Sequence, residues 1–419
     1  MINKFKEAIF SKTTKAASLI FTGNMSSSFF GIIFTIFAAR LLGPENWGLV
    51  AAVGSLMTIF VAFGDLGIGA NFFQFASGKR ESDIKGVSRL YKTSFFLKIV
   101  TAFTSLGLIY VLSPLLSQII FASNDTFLVL VSALGAFGVL LLEFQVFAIE
   151  SKRLWGKAAF LSSLTNFFRL IFILILASYG TINLANVLIV FTASSLLAFL
   201  VSLIWLFEAP RLDKGWTRLF RTSAGFSGWM STNKIVSTLN SRIDILLLVS
   251  LAGAYEAGIY GAASRLSIGV PLIMGSLATV FATNYASLAG ESLVAYFKKS
   301  VVLSGIVACG LVLGIIIITP LVIALLGDGY RQSGPVLQWL FVAFLPFVLA
   351  TPAVNLLIYH FKKPAIVAIL SLIQLPLTLI VNYLYISSLG VFAPVIAIAL
   401  ANTMTLLVSY IFVFRLLKR

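Results

Sequence analysis

Eight ionisable side chains interrupt stretches that are otherwise almost wholly apolar: Asp65, Lys98, Glu143, Arg169, Lys234, Arg242, Asp244 and Arg265. Basic groups in such surroundings are suited to holding anions, Arg as a bidentate partner of phosphate or carboxylate and Lys as a point charge. The carboxylates can position those bases or bind a coupling cation. Five bases against three acids leave an excess of positive charge. Amides and hydroxyls accompany the charges. In the seventh apolar segment Ser227, Ser231, Lys234, Thr238 and Ser241 recur at spacings of four and three, and Asn233, Ser237, Asn240 and Asp244 form an adjacent stripe with the same rhythm. A helix carrying both stripes is polar over about half its circumference. The first segment is also polar, with Thr22, Asn24, Ser26, Ser27 and Ser28, and the second carries the thinner stripe Ala51, Ser55, Thr58, Ala62 and Asp65.

Structural roles compete with functional ones at several positions. Lys98, about one turn inside its segment, can snorkel to the surface. Asp65 can pair with a base in the following loop, and Arg169 and Glu143, on neighbouring segments, can form one ion pair. Arg242 and Asp244 are two residues apart, do not face each other on a helix, and need other partners. Serine and threonine often serve only to pack helices. Lys234 and Arg265 lie well inside their segments and are the strongest candidates to line a cavity.

The elements that must position these groups are membrane helices. The 419 residues are 59% hydrophobic and only 11% charged, with a mean hydropathy of +1.04, which no aqueous fold of this length could bury. Apolar stretches of about 20 residues recur, long enough to cross a hydrocarbon core as helices and about twice the length a barrel strand needs. The predicted spans are 16–39, 46–68, 94–116, 126–149, 158–178, 184–207, 223–250, 257–285, 300–326, 336–359, 365–386 and 390–414, twelve in all. Lys4, Lys6, Lys12 and Lys15 before the first span resemble the start of a secretory signal, but the apolar run is too long and leads into further spans.

The formal charge of +16 is explained by topology, not by nucleic-acid binding. Of 30 Lys and Arg residues, 23 fall in the N-terminus, in alternate loops (69–93, 150–157, 208–222, 286–299, 360–364) and in the C-terminus, against only Arg40 and Arg331 in the opposite loops. The rich side is expected to be cytoplasmic, with both termini there, and to meet anionic lipid headgroups. The single cysteine, Cys309, rules out a disulfide framework or a cysteine metal site and is expected to be a small core residue. No metal or other cofactor is expected. The sequence lacks a Gly-rich phosphate loop ending in Gly-Lys-Ser/Thr, so any work must draw on substrate or ion gradients or a downstream sink.

Six spans per half place both halves in the same orientation, and a parallel repeat supports this. Residues 41–56, LLGPENWGLVAAVGSL, align without gaps to residues 251–266, LAGAYEAGIYGAASRL, matching Gly43 with Gly253, Gly48 with Gly258 and Ser55 with Arg265. The expected organisation is a six-helix lobe over 1–207, a basic linker over 208–222 and a second six-helix lobe over 223–419, related by a pseudo-two-fold along the membrane normal.

Residues 39–48, Ala-Arg-Leu-Leu-Gly-Pro-Glu-Asn-Trp-Gly, leading to Gly64-Asp65-Leu66-Gly67, resemble the opening of the Wzx-type polysaccharide and O-antigen repeat-unit flippases of the multidrug/oligosaccharidyl-lipid/polysaccharide exporter superfamily. Arg242-Ile243-Asp244-Ile245-Leu246-Leu247, Ala257-Gly258-Ile259-Tyr260-Gly261-Ala262-Ala263 and Gly327-Asp328-Gly329-Tyr330 are similar to that family's second half. The resemblance implies an all-α polytopic fold of twelve helices, V-shaped, with a cavity between the lobes lined by spans 1, 2, 7 and 8. It implies a bacterial inner-membrane transporter that turns over an undecaprenyl-pyrophosphate-linked glycan by alternating access and works beside a polysaccharide polymerase and chain-length proteins. On that reading Lys234, Arg265 and Arg242 hold the pyrophosphate, with Arg169 nearby; Asn24, Asn233 and Asn240 meet sugars; and Asp244, Asp65 and Glu143 couple an ion or position the bases. Multidrug pumps of the superfamily are the nearest rival, but their dominant cavity charges are acidic. A membrane glycan polymerase, an enzyme, would need a long outer loop that the spans leave no room for, and a peptidoglycan-precursor flippase usually has fourteen spans.

Overall fold

The computed structural model describes residues 12–79, 84–212 and 216–417. Lys4, Lys6 and residues 213–215 of the expected linker lie outside them. Among the described residues every regular element is helical: α1 (Lys12–Asp65), α2 (Ile68–Lys79), α3 (Ile84–Phe121), α4 (Phe127–Ser151), α5 (Trp155–Ser178), α6 (Leu184–Trp205), α7 (Trp216–Ala252), α8 (Ala254–Leu266), α9 (Gly269–Ser287), α10 (Gly290–Leu326), α11 (Ser333–Asn355), α12 (Pro364–Leu389) and α13 (Phe392–Leu417). A 3₁₀ turn at Asp328–Tyr330 and a π turn at Leu356–His360 flank α11.

Eleven stretches among the described residues are long and apolar enough to cross a membrane. The first, Ser18–Asp65, breaks at Gly43, whose φ of 75° and ψ of 169° are not helical, so it comprises two of the expected spans. Glycine reaches that conformation at no steric cost, and Pro44 restarts the helix where its missing N–H is no loss. The twelve expected spans are thereby all present. Cys309, expected in the core, is instead exposed on α10.

The chain divides into two compact units, residues 1–41 with 53–238, and residues 42–52 with 239–419. The division falls inside α7, not in the 208–222 stretch, and the short 42–52 segment belongs to the C-terminal unit. In the N-terminal unit α4 and α6 approach closely over small residues: Ser195 Oγ donates to the Gly135 carbonyl at 3.2 Å, and a Cβ at Gly138 would meet Ser195 Oγ at 2.8 Å. Lipid tails supply no hydrophobic drive between helices, so small residues and interhelical hydrogen bonds carry the association. An aromatic cluster binds α2, α3 and α4, with Phe95 stacked on Phe144 at 5.6 Å and Tyr91 OH donating to Gln145 Oε1 at 3.2 Å. That cluster fixes the neighbouring positions Lys98 and Glu143.

In the C-terminal unit α13 is tied to α11 by Asn402 Nδ2, which donates to the Ala343 carbonyl at 3.0 Å, and by Tyr410 OH, which donates to the Leu349 carbonyl at 3.1 Å. The same unit holds physical evidence for the repeat. Gly253 (φ 94°, ψ 170°) breaks the chain before α8 as Gly43 does inside α1. A Cβ at Gly48 would stand 1.8 Å from the Ala254 carbonyl oxygen, and a Cβ at Gly258 would stand 1.8 Å from the Pro44 carbonyl oxygen. These are one contact made twice, because the 210-residue shift carries 44 to 254 and 48 to 258. Each partner contacts the other in the same way, as a two-fold requires.

Candidate functional site

Ionisable groups gather around two cavities, one in each unit. The cavity of the N-terminal unit is about 620 Å³. Its walls are helical stripes at i, i+3, i+4 and i+7: Glu143, Val146, Phe147 and Glu150 from α4; Ser162, Thr165, Asn166 and Arg169 from α5; Met230, Asn233, Lys234 and Ser237 from α7. Asp65, at the end of α1 before a turn through Leu66 and Gly67, both at positive φ (49° and 67°), completes one wall.

A chain of alternating charges runs from the core of this unit to its cavity. Lys98, with 0% of its side chain exposed, donates to the Asp65 carboxylate and to the Asp65 carbonyl at 3.3 Å. The other carboxylate oxygen of Asp65 takes Lys234 Nζ at 3.2 Å, and Lys234 reaches Glu143 at 2.6 Å. Two lysines thus meet two carboxylates and the charges cancel. Lys98 does not snorkel to the surface; burial against Asp65 holds it in the interior. Asp65 pairs with these two intramembrane lysines and not with a loop base. Glu143 takes Lys234 and not Arg169. Arg169 is 5% exposed and donates to Asn166 Oδ1 at 3.1 Å and to the Phe191 carbonyl at 3.3 Å, with its guanidinium 3.6 Å from the centroid of the Phe191 ring. Asn166 in turn donates to the Ser27 carbonyl at 3.0 Å, joining α5 to α1. Asn24 is exposed on α1 and lines neither cavity.

The cavity of the C-terminal unit is about 310 Å³ and has a different character. The second arm of α7 contributes Asn240, Arg242 and Asp244, α8 contributes Tyr260, Ser264 and Arg265, and α12 and α13 contribute Gln374, Thr378 and Asn402. Asp244 accepts the Tyr260 phenol on one carboxylate oxygen and the Ile245 backbone N–H on the other at 2.8 Å. Neither Arg242 nor Arg265 forms an ion pair among the described residues, and both line this cavity together with the Asp244 carboxylate. Arg242 Nε is buried without a partner, as is Asn240 Oδ1, while Asn240 Nδ2 donates to the Ser371 carbonyl at 3.1 Å. A buried polar group left unpaired is costly, and guanidiniums without an ion-pair partner are suited to meeting an anion.

Arg242, Arg265, Asn240 and Asp244 thus meet at one cavity, and Lys234, Asn233, Asp65, Glu143 and Arg169 at the other. Spans 11 and 12, which the resemblance did not implicate, supply much of the polar wall of the C-terminal cavity. Their signal was available as single amides in apolar runs, Gln374 in SLIQLPL and Asn402 in ALANTM. Tyr260 lay within a recognised motif, but its bond to Asp244 depends on how α7 and α8 pack. Glu150 follows Glu143 by seven residues on the same face of α4, a spacing the sequence displays. No group of three or more His, Cys, Asp or Glu side chains among the described residues is arranged to hold a metal ion.

The comparisons with known proteins agree with this architecture. The fold is shared with a multidrug resistance MATE family transporter of the MOP superfamily in an inward-facing conformation, at 15% identity and a TM-score of 0.72, covering 92% of this chain and 93% of that one. It is shared with the lipid II flippase MurJ in an inward closed conformation, at 14% identity and a TM-score of 0.76, covering 94% and 87%. It is also shared with a MOP superfamily transporter from Pyrococcus furiosus described as having a binding pocket of reverse polarity, at 15% identity and a TM-score of 0.63, covering 96% and 94%. Among curated proteins none matches the sequence. The pattern of the family described as "Polysaccharide biosynthesis protein" matches residues 37–335, well over half of the chain. A multi-pass membrane protein with the fold of the MOP superfamily transporters, the chain therefore belongs to the polysaccharide biosynthesis protein family.

Proposed function

We propose that the protein turns an undecaprenyl-pyrophosphate-linked oligosaccharide repeat unit from the cytoplasmic to the outer leaflet of the bacterial inner membrane by alternating access. The observation that carries this reading is the pair Arg242 and Arg265, two guanidiniums that form no ion pair among the described residues, in a cavity lined also by the Asp244 carboxylate, by amides and hydroxyls, and by apolar side chains. A charge at membrane depth costs about 2.5–3.5 kcal/mol on insertion scales, and an anionic ligand is the compensation this cavity lacks. A diphosphate presents two anionic centres for two bidentate partners, and Asn240 Oδ1 is free to accept from the cargo. Lys234, compensated by Asp65 and Glu143, takes a positioning role in place of the diphosphate contact. Asp244, hydrogen-bonded but without a salt bridge, is the carboxylate best suited to couple an ion gradient. Family membership supports a glycan as cargo, and the asymmetry of basic residues supports cytoplasmic termini. Polymerase and chain-length proteins assembling O-antigen, capsule or exopolysaccharide would consume the product.

The test is turnover of a fluorescent, short-chain prenyl-diphosphate disaccharide in proteoliposomes. Arg265→Ala and Arg242→Ala should each lower turnover at least about tenfold with normal insertion, and Arg265→Lys should fall in between, because it keeps the charge but loses the fork. Unchanged turnover in both alanine variants would sink the assignment. Expulsion of organic cation dyes by the wild type, with no response to the diphosphate probe, would instead favour a multidrug exporter.

A further inference from the structure

The cavity of the N-terminal unit has a chemistry that anion binding does not use. Its volume of about 620 Å³ lies within the range of small-molecule sites, roughly 300–1,000 Å³. Acceptors and donors alternate along its walls, and Phe147 offers an apolar face between Glu143 and Glu150 on the same stripe of α4. Glu143 is engaged by Lys234, but the Glu150 side chain makes no hydrogen bond or ion pair among the described residues, and neither does the side chain of Asn233, which lines the same cavity from α7. The other wall charge outside the lysine–carboxylate chain, Arg169, is 5% exposed and bonded to Asn166 and to the Phe191 carbonyl, so the charge without a counter-ion that is open to this cavity is the Glu150 carboxylate.

We infer that this cavity is a subsite for the sugar head of the cargo, with Glu150 and Asn233 bonding hydroxyls, Phe147 covering a pyranose face, and Glu150 selecting neutral or amino sugars over sugar acids. Carboxylates and amides accept from and donate to vicinal hydroxyls, and the C–H face of a pyranose is apolar enough to cover a phenyl ring. A sugar acid would bring a second unpaired anion beside Glu150, and like charges juxtaposed in a partly desolvated site are strongly disfavoured. The inference rests on the proposed function for the identity of the cargo, but uses a different unit and different residues from the diphosphate contacts.

The experiment presents the purified full-length protein with free oligosaccharides of matched length, neutral, amino and uronic-acid-containing, and separately with farnesyl diphosphate. The wild type should bind neutral or amino members at least about fivefold more tightly than their uronic-acid counterparts. Glu150→Gln should erase most of that discrimination, and Asn233→Ala should weaken sugar binding about tenfold, both leaving farnesyl diphosphate binding within about twofold. Preference for acidic members, binding of none, or equal losses for sugar and farnesyl diphosphate in the two variants would overturn the inference. If the wild type ignores farnesyl diphosphate but keeps the sugar selectivity and its loss in Glu150→Gln, the diphosphate reading fails and the sugar subsite stands.

Discussion

Lys98 shows how burial alone can reverse the meaning of a residue. Its position near a helix end suggested a snorkelling surface base, yet its ammonium is enclosed and joined to Asp65. Removing one partner of a buried pair strands the other charge, at a cost of about 3–5 kcal/mol, whereas an apolar replacement of both can be neutral. Lys98→Met is therefore expected to lower the thermal midpoint of the detergent-solubilised protein sharply, and the Lys98→Met/Asp65→Leu double variant to recover much of the loss. A single variant that melts with the wild type would show that the pair has no structural weight. Arg169 follows the same logic, since its guanidinium is spent on Asn166 and Phe191 and it is better understood as a brace for α5 than as a ligand contact. The contrast with Arg242 and Arg265 is one of partners and not of residue type.

At the scale of elements, α7 is the helix on which both cavities depend. Its polar stripe was evident from spacing, but its first arm serves the N-terminal unit with Asn233 and Lys234, and its second serves the C-terminal unit with Asn240, Arg242 and Asp244. The arm of α1 after Gly43 and the start of α8 meet through Gly48 and Gly258, where no Cβ fits against the facing carbonyl. Overpacking of this kind costs about 1–3 kcal/mol or more. Gly48→Ala and Gly258→Ala should each lower the yield of folded protein and the thermal midpoint by similar amounts, because the two sites are equivalent. Gly107→Ala and Gly156→Ala, which face open space, should do neither. A large difference between the Gly48 and Gly258 variants would argue against that equivalence.

At the scale of the whole molecule, charge placement makes a topological prediction. With Cys309 replaced by serine, a single cysteine at Lys363 should react with an impermeant maleimide only from the cytoplasmic side, and one at Asp125 only from the outside. The reverse pattern would invert the direction of transport proposed above. Composition, the length of the apolar runs and the asymmetry of basic residues were enough to determine a twelve-span helical membrane protein, because a chain in lipid must satisfy its backbone within each helix and each span can be read locally. The repeat was legible for a related reason: the glycines at 43, 48, 253 and 258 answer steric demands that only glycine meets. Which charges are compensated was not legible. Asp65, Lys98, Glu143 and Lys234 come from four separate segments, and Tyr260 reaches Asp244 from another helix. Those partnerships depend on the rotation and depth at which helices pack, which the hydrophobic pattern constrains only to a face. Tertiary structure therefore decided that the lysine at 234 is neutralised by two carboxylates and that the arginines at 242 and 265 form no ion pair among the described residues.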